Sequence, residues 1–507
     1  MRKNMKGINK RRAGILMPIS ALPSSQGIGT LGKGAYAFVD WLQSAGMSVW
    51  QVLPLVPTGF GDSPYQSCSS DALNPYFIDF ECLEEEEILS REDWADIAWS
   101  EDERRVDYGR QFMYNVEVLR KAFDRFDKEN ADWKRFLVEG KYADFALFMT
   151  LKRKFAYMPW YMWEEPYKSC KGDLPNAFFE ENKDELLFWQ FTQYIFRKQW
   201  TKLHAYAAEK GIEIMGDMPI YVSEDSVEAW KYRDELFMLD EDGNIALRAG
   251  VPPDAFSEDG QFWGNPVYDW DKMKKNGYVW WKNRIADAFG NFDIVRIDHF
   301  RAFDRFYVIP DGAETAKEGE WLDGPKSALF KAIDGPLKIV AEDLGIIDDG
   351  VRELLKETGF PGMKIFEFAF DGDPDNDYIP SNITDGNCVA YTGTHDNDTL
   401  RAFIEKMSEE ERKYFETTLE RECLQADVPY LTESIEEECK TIIELLMSSK
   451  ADLVIVPMQD VLCFGEEARL NAPATVSCNN WTFRFTEQDF KRLKAAWLKE
   501  KTEEYNR

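Results

Sequence analysis

The sequence predicts an α/β protein organised around a (β/α)8 barrel with inserted, mostly helical subdomains. Three observations lead there. Eight short apolar segments rich in β-branched residues recur along the 507 residues, each separated from the next by room for a helix or a longer insertion. The first two are joined through short connections by an amphipathic helix, the β-α-β unit of a parallel sheet. Four of the later segments end in acidic residues, and the C-terminal strand ends of a barrel are where its chemistry is built.

Taken in order, the first strand is read over Gly14–Leu22, followed by a glycine-rich loop and a helix from Ala35 to Ala45 that Gly46 ends. A second strand, Ser48–Leu55, follows at once. Residues 80–210 then turn acidic and aromatic, with the run Glu84–Glu87 and a proline-rich break around Pro159–Pro175. They read as a helical insertion closed by a long helix from about Leu186 to Lys210. Strands resume at Glu213–Val222, Phe292–His299, Leu337–Leu344, Gly362–Phe368, Cys388–Thr394 and Asp452–Val461. The Gly/Pro/aromatic segment Gly250–Trp270 reads as an ordered, lid-like loop and not as a strand or helix. Residues 401–450 read as two charged helices, and a polar helix follows Asn479–Phe485. The expectation is one catalytic barrel domain over residues 1–507, interrupted by the insertion near 80–210 and the lid near 250–270.

Composition narrows the partners. Apolar residues make up 44 % and charged residues 30 %, which is a globular balance. Acids outnumber bases 92 to 61, a net charge of −31, so neither nucleic acid nor an anionic membrane surface is expected to bind. The basic start (Arg2, Lys3, Lys6, Lys10, Arg11, Arg12) precedes an apolar run, Ala13–Met17, that is short and broken by Pro18. It reads as neither a signal peptide nor a membrane span, and a cytoplasmic protein is expected. The eight cysteines (Cys68, Cys82, Cys170, Cys388, Cys423, Cys439, Cys463, Cys478) are scattered without a Cys-x-x-Cys, and there are only three histidines, His204, His299 and His395. Neither a disulfide framework nor a zinc site is expected.

Three motifs invite other readings and fail on inspection. Gly27-Ile-Gly-Thr-Leu-Gly32 matches a dinucleotide fingerprint, but the next strand ends in Pro54-Leu55-Val56 with no acid for a ribose. Continued to Lys33 it approaches a P-loop, yet Gly34 stands where a Ser or Thr must reach magnesium. Asp371-Gly-Asp-Pro-Asp-Asn-Asp377 resembles a calcium loop, but Asn376 replaces the required glycine and Asn382 the closing glutamate. No cofactor and no metal are expected.

What remains is a set of carboxylates: Asp217 in Gly216-Asp-Met-Pro219, Asp298 in Arg296-Ile-Asp-His299, Glu342 in Ala341-Glu-Asp-Leu344, and Asp396 in Thr394-His-Asp-Asn397. One acid at a strand end can simply cap a helix, and one Arg-x-Asp is an ordinary ion pair. Four such ends on one barrel face would share a pocket, which suits retaining glycoside chemistry, where two carboxyl groups about 5–5.5 Å apart act as nucleophile and acid/base. Asp298, beside Arg296, fits the role that must stay ionised. Glu342, crowded by Asp343, fits the role that must keep a proton. Asp396 with His395 would hold sugar hydroxyls as positive charge develops.

These motifs resemble those of the α-amylase clan, and within it the 4-α-glucanotransferases known as amylomaltases or disproportionating enzymes. Further resembling segments are Leu22-Pro-Ser-Ser-Gln-Gly-Ile-Gly-Thr-Leu-Gly32, Asp62-Ser-Pro-Tyr-Gln66, Leu73-Asn-Pro-Tyr76, Gly216-Asp-Met-Pro-Ile-Tyr-Val222, Gly250-Val-Pro-Pro-Asp254, Gln261-Phe-Trp-Gly-Asn-Pro266, Gln459-Asp460 and Asn479-Asn-Trp481. The resemblance implies Asp298 as nucleophile, Glu342 as acid/base and Asp396 as transition-state stabiliser. It also implies Ser63, Tyr65, Asp217, Arg296, His299 and His395 as sugar-binding residues of the donor subsite. Asp254 and Trp263 would belong to a loop overhanging the cleft that favours a sugar acceptor over water. Pro473-Ala-Thr-Val-Ser-Cys478 departs from the glycine-richer pattern of the family. The implied activity is transfer of α-1,4-glucan segments from a maltooligosaccharide to the 4-hydroxyl of another glucan. The alternatives are an α-1,4-glucan hydrolase and a non-catalytic glucan-binding protein.

Overall fold

The computed structural model describes residues 11–168, 174, 176–253, 258–345 and 347–507. The eight expected strands are all present, as Arg12–Leu16 (β1), Val49–Gln51 (β2), Glu213–Met218 (β3), Ile294–Ile297 (β4), Ile339–Ala341 (β5), Gly362–Ile365 (β6), Cys388–Tyr391 (β7) and Leu453–Pro457 (β8). All neighbours pair in parallel in the order β6-β7-β8-β1-β2-β3-β4-β5. At the remaining seam the Ala341 N–H, at the end of β5, donates to the Pro361 carbonyl just before β6 at 2.9 Å. The sheet is therefore a nearly closed barrel. Its strands read as unbroken apolar runs because they are covered on both faces, by side chains inside and helices outside. Leu453 to Val456 and Ile339 to Ala341 are buried throughout.

The strands end earlier than the apolar patterns imply. Pro219 follows β3, the single-turn helix Met458–Val461 follows β8, and a 3-10 turn, Phe366–Ala369, follows β6. A proline lacks the N–H a ladder needs; Asp298, Glu342 and Asp396 stand just beyond their strands, whereas Asp217 stays within β3.

Close packing beneath those acids depends on a small residue. A Cβ placed on Gly216, one residue before Asp217, would lie 2.2–2.5 Å from the Phe292 ring. That ring, at the entrance to β4, fills the space a side chain would need.

Between β2 and β3 the chain is mostly helical, and its largest element is the 27-residue helix Lys183–Glu209. Phe188, Phe191, Phe196 and Leu203 form its buried stripe. Two buried glutamines fasten it to the segment after β2. Gln193 bonds both backbone groups of Leu73 at 2.8 and 2.9 Å, and Gln199 those of Asp79 at 2.8 and 3.0 Å. Such double amide contacts pair both backbone groups of Leu73 and of Asp79. The apolar core runs without a break from the barrel into these helices.

One expectation is corrected. Gly250–Trp270 is not simply a loop: Leu247–Val251 and Gln261–Pro266 pair antiparallel, and Arg305–Pro310 and Glu320–Asp323 complete a four-stranded sheet. The sequence hides it because Gly250, Gly264 and Pro266 interrupt the alternation expected of strands. One partner, Arg305–Pro310, also lies beyond β4, pairing Leu247 with Pro310 and Gly250 with Tyr307. The sheet delivers Trp263 on its edge strand. Asp254 lies outside the described residues.

Candidate active site

Arg296, the third residue of β4, is the hub of the site. Its side chain is almost wholly buried, at 4 % exposure, as is that of Asp217, at 0 %. Nη1 donates to both oxygens of Asp217 at 2.7 Å, while Nη2 donates to Asp298 Oδ1 at 3.0 Å. Alternation along β4 explains why one side chain meets both acids: Arg296 and Asp298 are two residues apart and share a face. Asp217 lies opposite Arg296 in the ladder with β3. The Tyr65 hydroxyl donates to Asp217 Oδ2 at 2.7 Å, which completes that carboxylate.

Glu342, the residue after β5, is fixed by backbone donors. The His299 N–H reaches Oε2 at 2.6 Å and the Leu344 N–H reaches Oε1 at 2.7 Å. His299 adopts left-handed backbone angles (φ 49°, ψ 48°), a conformation that costs an L-residue about 1–2 kcal/mol. The turn brings its amide to Glu342 in place of the next strand position.

The protonation state departs from the simple expectation. Burial pushes the Asp298 carboxyl up to about 8, outweighing Arg296, with Glu342, Asp217 and Asp396 adding repulsion. Burial also raises Glu342, against the pull of Arg296 and the two backbone donors. The reason lies in the hub: most of the guanidinium is committed to Asp217, so a single cation serves several buried acids. Burial therefore holds both Asp298 and Glu342 above the ordinary carboxylate range. Arg296 favours Asp298 as the ionised member of the pair; it does not keep it ionised by itself.

Asp396 stands on the loop after β7 and is the more open acid, with a side chain 44 % exposed against 29 % for Asp298. The Asn471 amide donates to its Oδ1 at 2.7 Å, and Arg469 donates to its carbonyl at 2.8 Å. The neighbouring His395 is buried and stacks on Tyr65, with centroids 5.1 Å apart and planes at 12°. Trp481 lies against both rings. Trp263 meets the edge of His299 at 4.8 Å. Burial drives the His299 ring down to about 3 and lowers His395, so both are neutral imidazoles able to donate and accept hydrogen bonds.

These side chains line a cleft of about 540 Å³ whose walls include Ser63, Tyr65, Trp263, Asp298, His299, His395 and Asp396. Asp217, Arg296 and Glu342 back it through the bonds described. Every sequence-derived site residue except Asp254 is therefore gathered at one barrel end. Asn471 was not foreseen: it carries no charge, lies far along the chain and follows no strand. Tyr221 and Phe262 also line the cleft; both lie in segments that carry the family resemblance, but neither was singled out as a site residue. Among the described residues no group of three or more His, Cys, Asp or Glu is placed to hold a metal. In the segment that resembles a calcium loop, Asp371 and Asp373 accept from backbone N–H groups two residues ahead, at 3.0 and 2.9 Å.

A parallel barrel with convergent carboxyls, neutral imidazoles and aromatic walls at its C-terminal end is built for work on glycosidic bonds. Comparison with known proteins makes the class specific. The profile of the 4-alpha-glucanotransferase family matches residues 17–489. A 4-alpha-glucanotransferase of Clostridium butyricum is 42 % identical over 482 residues, covering 94 % of this chain and 96 % of the relative. One from Streptococcus pneumoniae is 40 % identical over 498 residues, covering 95 % and 94 %. The solved amylomaltase of Streptococcus agalactiae, in complex with acarbose, superposes with a TM-score of 0.91 at 40 % identity, over 98 % of this chain and all of that one. The chain belongs to the 4-alpha-glucanotransferase family.

Proposed function

We propose that this 4-alpha-glucanotransferase works by double displacement through a covalent glycosyl ester on Asp298. An Asp298 oxygen attacks the anomeric carbon of a bound α-1,4-glucan. As the bond to the leaving 4-oxygen breaks, Glu342 gives that oxygen its proton. The shortened glucan departs, and the 4-hydroxyl of an acceptor takes its place. Glu342 recovers its proton from that hydroxyl, the acceptor oxygen bonds to the anomeric carbon, and Asp298 leaves as a carboxylate. Configuration is retained because the carbon is inverted twice.

The observation that carries this reading is the placing of two carboxyl groups at one barrel end, Asp298 held by Arg296 at 3.0 Å and Glu342 held by the His299 and Leu344 N–H groups at 2.6 and 2.7 Å. The productive state has the charge on the aspartate that Arg296 touches and the proton on the glutamate. Asp396, held by Asn471, and neutral His395 bind ring hydroxyls and stabilise the flattened, positively charged ring of the transition state. Ser63, Tyr65 and His299 complete the donor subsite, and Asp217, buried behind them, orients Tyr65 and Arg296. Trp263 closes the cleft over the acceptor so that sugar competes with water. Maltooligosaccharides are the substrates; the acarbose complex of the Streptococcus agalactiae amylomaltase supports a glucan-shaped cleft. The barrel and its insertion act as one catalytic domain, supported by their common core. The setting is cytoplasmic, which the free thiols of the seven described cysteines suit.

Incubation with maltotriose tests the reading. Glucose and a ladder of longer glucans should form with little net gain in reducing ends. A steady rise in reducing ends would favour the hydrolase alternative. Asp298→Asn should lower transfer by about 10³-fold or more; near-normal transfer by that variant would remove the nucleophile assignment.

A further inference from the structure

The loop bearing His395 and Asp396 leaves β7 at Thr392 and rejoins regular structure at Leu400, the first residue of helix Leu400–Glu405. Its two roots meet on one side chain from the neighbouring strand. Asp460, in the single-turn helix that follows β8, accepts from Thr392 Oγ1 through Oδ2 at 2.6 Å. Its other oxygen, Oδ1, accepts from the Leu400 backbone N–H at 2.8 Å. Asp460 is 2 % exposed and Thr392 0 %, so water does not compete for either bond. Other contacts shape the loop itself: Asn397 Oδ1 accepts from the Thr394 N–H and hydroxyl at 2.9 and 2.8 Å, and Arg469 and Asn471 grip Asp396 from outside. Asp460 ties that preformed loop to the barrel.

We propose that Asp460 is a positioning residue for glucan transfer: by holding both roots of the Thr392–Leu400 loop on one buried carboxylate, it sets where Asp396 stands against the reacting ring. The inference rests on the role given to Asp396 above. The chemistry of the side chain makes it specific. Alanine leaves a buried hydroxyl and a buried N–H without their acceptor. Asparagine can keep both links, because its carbonyl takes the Leu400 N–H while its amide donates to Thr392, whose hydroxyl can turn to accept.

The test uses the full chain and maltotriose as substrate, with kcat and KM measured beside thermal unfolding. Asp460→Ala should stay folded and lose kcat by about a hundredfold, the scale expected when a reacting group is displaced by about 1 Å, while KM changes little. Asp460→Asn should restore most of the lost kcat. Should Asp460→Ala fail to fold, Thr392→Val, which removes one root bond, decides: kcat should fall by about three- to tenfold at unchanged KM. A folded Asp460→Ala with kcat within twofold of the parent overturns the inference. Equal impairment of the Ala and Asn variants, or an unchanged kcat in Thr392→Val, does so as well. Asp396→Asn is run in parallel: if it keeps transfer, the reading of the site fails. If it loses transfer while Asp460→Ala keeps it, the positioning role alone fails.

Discussion

Arg296→Lys isolates what the guanidinium does that a bare positive charge cannot. Arginine reaches Asp217 with Nη1 and Asp298 with Nη2, three contacts between 2.7 and 3.0 Å. A lysine has one nitrogen on a flexible stem and can serve one carboxylate well, not both. Asp217, fully buried, is the stronger claimant, so the bond to Asp298 is the one lost. A hydrogen bond to a charged group contributes about 1.5–3 kcal/mol, and every 1.4 kcal/mol is about tenfold. We therefore expect kcat to fall by about 10- to 100-fold. Losing a donor to the ionised form raises the Asp298 pKa further, so the acid limb of the pH–rate profile should move to higher pH. Asp298 also becomes a poorer leaving group in the second displacement, so a burst of glucose should precede the steady state. The assay is glucose release from maltotriose across pH 5–9, with rapid-quench sampling of the first turnover. A lysine variant with kcat within twofold of the parent and an unmoved acid limb would refute the claim that Arg296 acts through Asp298.

Two further predictions concern stability. Folded-state values are raised for Asp298, to about 8, and for Asp71 and Asp460, to about 6. At these three groups the folded chain binds more protons than the unfolded one between the ordinary carboxylate range near 4 and those values. The slope of unfolding free energy with pH is then negative for these groups. Their contribution should weaken as pH rises from about 4 to about 8, and Asp298→Asn should flatten that fall in a urea-midpoint series; an unchanged slope would contradict the buried-pair account. Gly216→Ala should destabilise by about 1–3 kcal/mol, because its Cβ would meet the Phe292 ring at 2.2–2.5 Å; a urea midpoint equal to the parent's would contradict it.

The barrel was legible because β-branched runs such as Leu453–Val456 can be little other than buried strands. Their acids were legible because each follows such a run directly. Local pattern misjudged the places where partners are remote. The sheet carrying Trp263 needs Arg305–Pro310, which follows β4, and no alternation marks either segment. Asn471 reaches Asp396 across the fold from an irregular stretch. The pairing of Arg296 was half legible: Asp298, two residues on, is visible in sequence, whereas Asp217 faces it only through the β3–β4 register. That second partner adds to what burial does. It takes two of the three Arg296 contacts and leaves Asp298 with one.

The central claim is that Asp298 carries the glycosyl group between donor and acceptor. Its most direct test is to trap the ester. A Glu342→Gln variant, deprived of acid/base assistance for the second displacement, is given an α-maltosyl fluoride, whose leaving group needs no proton. It is then denatured, digested and analysed by mass spectrometry. The account predicts a glycosyl mass on the peptide containing Asp298 and on that residue within it. A glycosyl group on Asp396 or Asp217, or turnover with no covalent adduct, would contradict it.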